Sequence, residues 1–223
     1  MNILFVIPFR GKYSIPEIDL GLGYLAKAVL NAGFLAEILD CNLKKYSLKN
    51  FAVHISKNDY QAVGFKCLSR DLESVFRYCQ VIKEINRKII TIVGGPHPSA
   101  LPEKTLLSSP FIDFVFKGEG EVGLPLLLQK IINSNPDLSN IPGLYWKENS
   151  SERILSNQPQ TTRDFGMPAW NLIEPDRYSN IPIITRRGCS WNCSFCGVNK
   201  IFGKEIRIRP VQQVIEEIEF LFN

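Results

Sequence analysis

Three of the chain's six cysteines lie close together in the segment RRGCSWNCSFCGV, at positions 186–198. Cys189, Cys193 and Cys196 follow the spacing CxxxCxxC, and Gly188 and Gly197 flank them. Clustered thiols in a chain of this length indicate metal binding or redox chemistry rather than a disulfide scaffold. A structural zinc site needs a fourth Cys or His, usually from a second paired motif, and none is visible downstream. An iron–sulfur cluster held by three cysteines, with one iron left open, fits the spacing better.

A second group of candidate residues follows two predicted strands. Gly94 and Gly95 come after one strand, and Gly118 and Glu119 come after the next. Glycines at the carboxyl ends of strands allow a ligand to approach the backbone, and a carboxylate near a helix start suits the helix dipole. Ordinary turn chemistry in an α/β fold also explains each glycine pair taken singly. The sequence therefore offers a ligand site over the sheet as one of two interpretations.

The elements that must position these residues alternate between strands and helices up to residue 133. Short β-branched runs alternate with amphipathic stretches, a pattern typical of a parallel sheet covered on both faces. We therefore predict an α/β fold with a flavodoxin-like (Rossmann-like), doubly wound, five-stranded parallel sheet in residues 1–133. The predicted strands are Asn2–Ile7, Leu35–Leu39, Ala62–Phe65, Ile89–Val93 and Phe114–Phe116.

The remaining residues change character twice. Residues 134–180 are rich in proline and loop-forming residues, which indicates a linker, with a hairpin around Asn149–Ser151. In residues 181–223, IPIIT predicts a further strand, and Pro210 opens a helix with one apolar face. A lone strand, loop and helix cannot bury their apolar faces unaided. We therefore expect residues 181–223 to be the first βα unit of an incomplete TIM-like barrel.

Composition narrows the class of protein. The formal net charge is +4, and the basic residues are spread along the chain, so charge gives no argument for nucleic acid or a membrane surface. The start, MNILFVIPFR, reads as a strand rather than a signal peptide. No stretch approaches the roughly 18–20 apolar residues of a spanning helix. We expect a cytoplasmic protein that binds neither nucleic acid nor membrane.

The cysteine segment resembles the signature of the radical S-adenosylmethionine superfamily. The resemblance rests on CxxxCxxC with an aromatic residue, Phe195, directly before the last cysteine. It implies a four-iron four-sulfur (4Fe-4S) cluster on Cys189, Cys193 and Cys196, with S-adenosylmethionine chelated by the free iron and its adenine near Phe195. It also implies reductive cleavage of S-adenosylmethionine, with electrons from a low-potential donor such as flavodoxin or ferredoxin.

The amino-terminal part resembles the cobalamin (B12)-binding domain that precedes the radical barrel in one subgroup of that superfamily. The strings IVGGPHPSALPE and DFVFKGEGEVGLPLLL carry this resemblance, and LGLGYLAKAVLNAG, PAWNLIEPDRY and RIRPVQQVIEEIEFL resemble the first helix, the linker and the segment after the cluster loop. Gly94, Gly95, Gly118 and Glu119 are the implied cobalamin contacts. The resemblance covers nearly the whole chain.

Two departures from the subgroup concern cobalamin. Many cobalamin domains carry DxHxxG after the first strand, whereas this chain has PFRGKYSIPEID, which excludes a cobalt-ligating histidine from that loop. After the third strand the usual SxL becomes Lys66, Cys67 and Leu68. Lys66 and Leu68 are the remaining candidate cobalamin contacts, with Lys66 facing either a cofactor phosphate or propionamide, or water.

The resemblance implies a cobalamin-dependent radical enzyme that transfers a methyl group or supports a radical rearrangement on an unknown substrate. We expect little or no turnover from these 223 residues alone. Two other functions stay open. A non-catalytic module would bind cobalamin or another small ligand and carry vestigial cysteines, and a zinc-stapled interaction protein would hold one zinc per chain.

Overall fold

The computed structural model describes residues 1–133, 137–148 and 153–222. In this part of the chain one sheet has the strand order β2-β1-β3-β4-β5-β6-β7. Its strands are β1 (Asn2–Ile7), β2 (Leu35–Asp40), β3 (Ala62–Lys66), β4 (Ile90–Gly94), β5 (Phe114–Phe116), β6 (Leu144–Lys147) and β7 (Ile154–Ser156). The first five are parallel, so the predicted flavodoxin-like sheet is confirmed in its strands and its order.

The hairpin predicted in the linker extends that sheet. β6 pairs with β5, and β7 pairs with β6, both in antiparallel register. The hairpin's tip, predicted at Asn149–Ser151, lies outside the described residues. The sheet therefore continues from five parallel strands into a segment that composition alone had marked as a linker.

Helices cover both faces of the sheet. They are α1 (Leu20–Asn31), α2 (Leu48–Lys57), α3 (Leu72–Ile85), α4 (Pro96–Ala100), α5 (Pro102–Leu107) and α6 (Gly123–Ile132). Asp19 caps α1 by accepting from the Leu22 amide, and Ser47 and Asn50 form a capping box at α2. One core cluster packs α2 and α3 against one face, and a second packs α1 and α6 against the other. No helix in the described ranges is both long and apolar enough to cross a membrane.

The rest of the linker packs on α1 rather than standing apart. Phe165 and Trp170 join Tyr24 of α1 in a third buried cluster, and the Ala169 amide donates to the Gly23 carbonyl. Gly23 has no room for a side chain, because a Cβ there would lie 3.0 Å from Pro168 Cβ. This packing fixes where the chain enters the cysteine segment.

The strand predicted in residues 181–185 is wrong. These residues have no regular structure, and the strand is instead β8 (Arg186–Arg187), which pairs antiparallel with β9 (Arg207–Ile208). Residues 181–222 also contain two helices, α7 (Val198–Ile201) and α8 (Val211–Phe222). The apolar stripe predicted on α8 is largely exposed, and its buried residue is Glu217. A buried charged residue, together with Leu221, which packs against the third cluster, therefore attaches α8 in the described structure.

Candidate functional site

A cavity of about 400 Å³ lies over the carboxyl-terminal half of the parallel sheet. Residues of β1, β3, β4 and β5 form its floor, and α1 and α6 line its sides. The segment that carries the cysteines also reaches it through Pro182, Ile184, Arg187, Ile201 and Phe202. Parallel α/β sheets bind ligands at this end of their strands, and the volume falls in the range of small-molecule sites. The cavity is the candidate binding site.

Glycines keep this cavity open. In β3, a Cβ on Gly64 would lie 3.1 Å from the Phe5 ring, and a Cβ on Gly120 would lie 2.9 Å from Leu25. Gly95 has a φ of +101°, and a Cβ there would meet Lys66 Cγ at 3.0 Å. Gly94 differs, because the nearest atom to its Cβ position is Phe116 Cβ at 3.8 Å. The space beside Gly94 is therefore open to a ligand.

Lys66, at the end of β3, supplies the cationic group among the predicted cobalamin contacts. Its Nζ lies 2.9 Å from Asp19 Oδ2, and Asp19 is the residue that caps α1. The Lys66 side chain is 33% exposed, and it lines the cavity. The Lys66 ammonium thus points at Asp19 rather than into open water or directly at a ligand. It joins the sheet to the start of α1 at the edge of the cavity.

The structure gathers most, but not all, of the predicted cobalamin contacts. Gly94, Gly95, Lys66, Gly118 and Glu119 line the cavity. Leu68 does not line it, and its carbonyl accepts from the Cys67 thiol at 3.3 Å and from the Asp71 amide at 2.9 Å. Leu68 therefore supports the loop after β3 rather than the cavity wall.

Glu119 has a different set of partners from the one predicted for it. Its carboxylate is buried and pairs with Arg187 at 2.8 Å and with Arg207 through two contacts. Glu121 pairs with Arg187 at 2.6 Å. Burial alone would lower the pKa of Arg187, but Glu121 and Glu119 beside it raise that pKa above its ordinary value. These residues form a buried ion network between the loop after β5 and the base of the cysteine segment.

Aromatic rings enclose the Arg187 guanidinium within this network. The guanidinium carbon lies 4.5 Å from the Phe165 ring centroid, 4.7 Å from that of Tyr24 and 5.6 Å from that of Phe202. These distances are typical of cation–π contacts. Burial, and next to it Glu217, raises the pKa of Tyr24 to about 12, so its hydroxyl stays neutral at physiological pH.

The cysteine loop, residues 188–206, carries three free thiols. Cys189 is half-buried, whereas Cys193 and Cys196 are exposed, and the Cys196 amide donates to the Cys193 carbonyl at 3.1 Å. Phe195 is 91% exposed. Within the described ranges, no three His, Cys, Asp or Glu side chains are already arranged around a metal position. The donor set fits an iron–sulfur cluster, because three unpaired thiols share one solvent-facing loop and leave a position open.

Several residues of the site escaped the sequence analysis. Gly64 carried a signal, because a glycine within a β-branched strand marks a close approach of another group. Arg187 and Arg207 were not among the predicted site residues. Arg186 is exposed, but Arg187 is buried. Their partner Glu119 is 68 and 88 residues away in sequence, so local spacing could not reveal the network.

The chain is similar in sequence to a known protein family and to several methyltransferases. A family model described as "B12 binding domain" matches residues 10–128. An uncharacterized methyltransferase from Pyrococcus horikoshii is 32% identical and covers 99% of this chain, which spans 50% of that relative. Cytidylyl-2-hydroxyethylphosphonate methyltransferase from Streptomyces wedmorensis is 24% identical and covers 93% of this chain, which spans 49% of it. The chain thus spans about half the length of these two relatives.

Solved structures with the same fold are longer as well. The cobalamin-dependent S-adenosylmethionine radical enzyme OxsB, solved with aqua-cobalamin and S-adenosylmethionine, superposes with a TM-score of 0.84 at 18% identity. It covers 98% of this chain, which covers 31% of OxsB. TsrM from Kitasatospora setae, a radical S-adenosylmethionine methyltransferase, superposes with a TM-score of 0.72 at 22% identity over 99% of this chain. At these identities the likeness concerns the fold.

Proposed function

Because the chain belongs to the B12-binding domain family, we propose that it binds cobalamin over the carboxyl ends of its parallel strands. The cavity carries this proposal. It combines an apolar floor, glycine walls and one lysine–carboxylate pair at its edge. A cavity of about 400 Å³ would hold part of cobalamin, such as its heteroaromatic tail, rather than the whole corrin macrocycle.

Each part of the cavity has a task in this proposal. Phe5, Ile92 and Phe116 supply an apolar surface for a planar group, and the absence of a side chain at Gly94 leaves space next to it. Lys66 offers a donor to a phosphate or amide oxygen, while Asp19 holds its ammonium in place. The loop after β1 offers no histidine, so it supplies no histidine ligand to cobalt.

We further propose that Cys189, Cys193 and Cys196 hold a 4Fe-4S cluster that binds S-adenosylmethionine. Such a cluster, when bound and reduced by a low-potential donor such as flavodoxin or ferredoxin, supplies the electron for cleaving the sulfonium. Phe195 offers an exposed ring on which an adenine can stack. Relatives of this chain carry methyltransferase names, which supports methyl transfer as the reaction of the whole protein. The substrate is unassigned.

A non-catalytic module is the second candidate function. It is favoured by the exposure of two thiols of the cysteine loop, those of Cys193 and Cys196. Such a module would bind cobalamin without taking up iron. A zinc-stapled protein would instead take up one zinc per chain and show no visible absorption from it.

The test has two independent measurements on the full 223-residue chain. The first titrates hydroxocobalamin and follows retention on gel filtration. The second is anaerobic reconstitution with iron and sulfide, followed by metal analysis and electron paramagnetic resonance with and without S-adenosylmethionine. A Cys189→Ala, Cys193→Ala, Cys196→Ala variant is the control for the second measurement.

Cobalamin retention together with about four irons per chain and a spectrum that changes with S-adenosylmethionine would support both sites. Cobalamin without iron would favour the binding module, and one zinc would favour the interaction protein. An iron content unchanged in the triple variant would contradict the assignment of the three cysteines. Failure to retain cobalamin would contradict the assignment of the cavity.

A further inference from the structure

The carboxylate of Glu119 lies between two arginines that mark the two ends of the cysteine loop. Arg187 is the last residue before Gly188 and Cys189, and Arg207 follows the loop at the start of β9. The two arginines are also paired residues of the β8–β9 ladder. One carboxylate from the loop after β5 therefore contacts both ends of the loop at the same place.

Both oxygens of that carboxylate are already engaged. Oε1 accepts from Arg207 Nη2. Oε2 accepts from Arg187 Nη1 at 2.8 Å, from Arg207 Nη1 at 3.1 Å and from the Thr162 amide at 3.4 Å. The side chains of all three network members are at most 4% exposed. Both oxygens of Glu119 are thus committed to the arginine network, although the residue lines the cavity.

At the base of the cysteine loop, the backbone near Gly188 lies in close contact with the backbone near Glu205. Gly188 has a φ of +84°, and a Cβ there would collide with the Glu205 carbonyl oxygen. The Cys189 amide donates to the Gly203 carbonyl at 3.3 Å, and the Arg209 amide donates to the Thr185 carbonyl at 3.0 Å. β8 and β9 have two residues each, so backbone pairing alone gives the loop little stability.

We propose that Glu119 is a positioning residue that clamps both ends of the cysteine loop to the rim of the cavity. Through Arg187 and Arg207 it fixes the start of the loop relative to the sheet, and hence the separation between the cluster site and the cobalamin site. The clamp acts on the protein itself and exists before either cofactor binds. Its use in holding two cofactors rests on the proposed function.

The main variant is Glu119→Gln, which keeps the shape of the side chain and removes its charge. A matched control is Asp113→Asn, at the opposite end of β5, where the carboxylate accepts from Lys83 Nζ at 2.5 Å and from the Thr91 amide at 2.7 Å. Both substitutions remove a paired carboxylate next to the same strand. Only Glu119 contacts the cysteine segment.

The readout is amide hydrogen exchange of the cofactor-free full chain, resolved by peptide. In Glu119→Gln, we expect amides at the loop base, including those of Cys189 and Arg209, to exchange at least about tenfold faster than in the wild type. In Asp113→Asn, faster exchange should be confined to peptides near the amino ends of β4 and β5. Loop exchange that is unchanged in Glu119→Gln, or equally fast in both variants, would overturn the proposal.

A second variant covers the case in which Glu119→Gln does not fold. Arg207→Lys keeps the buried charge but cannot span both carboxylate oxygens. We expect a smaller increase in loop exchange than in Glu119→Gln, and an unchanged loop would again overturn the clamp. Hydroxocobalamin titration of Arg207→Lys, whose side chain does not line the cavity, should give a dissociation constant within about threefold of the wild type. In Glu119→Gln, lost cobalamin binding with a protected loop would make Glu119 a cofactor contact instead. A wild-type chain that binds neither cobalamin nor iron would contradict the proposed function and leave the exchange result standing.

Discussion

Lys66 Nζ lies 2.9 Å from Asp19 Oδ2, so the end of β3 is joined to the residue that caps α1. The two residues are 47 positions apart in sequence. The Asp19 side chain is 10% exposed and also accepts from the Leu22 amide at 3.2 Å. One carboxylate therefore serves both as a helix cap and as the partner of the cavity's lysine.

The dual role of Asp19 predicts unequal effects of mutations at the two residues. We expect Asp19→Ala to lower the free energy of unfolding by about 1–2 kcal/mol, because the cap is lost together with the ion pair. Lys66→Met should cost less than about 1 kcal/mol, since a third of the lysine is in solvent. Urea unfolding measures both. Asp19→Asn keeps an acceptor for the cap and should resemble Lys66→Met; an effect as large as that of Asp19→Ala would contradict the cap as the main contribution.

Gly94 allows a test of the cavity by side-chain size. A Cβ at this position makes only an ordinary contact with Phe116, so Gly94→Ala should bind hydroxocobalamin within about threefold of the wild type. Gly94→Leu would fill the space next to the sheet and should weaken binding at least about tenfold while the protein stays folded. Absorbance titration gives the dissociation constants, and circular dichroism checks the fold. Equal binding by both variants would show that the ligand does not enter the cavity beside Gly94.

The parallel sheet could be predicted because its signals are local. The strands are short β-branched runs, and the alternation with amphipathic stretches fixes the parallel class. The resemblance to a cobalamin-binding domain, drawn from strings such as IVGGPHPSALPE, is confirmed by the family match over residues 10–128.

The structure of residues 181–222 was harder to predict because their contacts are distant in sequence. The predicted strand at 181–185 failed, since these residues pack beside the cavity through Pro182 and Ile184 and make no ladder of their own. The residues next to Arg187 in sequence give no sign that the fold surrounds its guanidinium with Glu119 and three aromatic rings. The composition of residues 134–180 indicates a linker. Composition cannot show, however, that β6 pairs with the edge strand β5.

Thiol reactivity should divide the six cysteines into two equal groups. Cys41, Cys67 and Cys79 are buried, and burial raises the pKa of the thiols of Cys41 and Cys67 to about 12. They should resist alkylation at pH 8 until the chain unfolds, because only the thiolate reacts. The three loop cysteines should react readily in the cofactor-free protein. Mass spectrometry after brief treatment with iodoacetamide counts the labels, and more than three labels on folded protein would contradict this division.

The same burial predicts a loss of stability in alkaline solution. Below about pH 8 the thiols of Cys41 and Cys67 are protonated in both states and add no pH dependence. As the pH rises through 9 the unfolded chain releases these protons, while the folded chain keeps them until about pH 12. The free energy of unfolding should therefore fall with rising pH, by about 1.4 kcal/mol per thiol between pH 8 and pH 10.

Guanidinium unfolding at several pH values measures this slope. A Cys41→Ala, Cys67→Ala double variant is the control, because it lacks both titrating groups while keeping the surrounding lysines and tyrosines. Its stability should fall less steeply over the same range. A slope identical to that of the wild type would show that these two thiols do not cause the pH dependence.

Glu217 should be the most sensitive position on α8. It is fully buried, pairs with Arg209 and accepts from Trp170 Nε1 at 2.8 Å. Glu217→Ala leaves the Arg209 charge buried without its carboxylate, which typically costs about 3–5 kcal/mol. Most of the apolar side chains of α8 are exposed and offer no substitute contact, so α8 should detach from Trp170. Thermal unfolding and near-ultraviolet circular dichroism measure the two effects.

Glu216→Ala, one residue earlier and exposed, should change stability by no more than about 0.5 kcal/mol. If both alanine variants were equally stable, the Arg209–Glu217 pair could not be what attaches α8, and the exposed apolar stripe would have to hold the helix by itself.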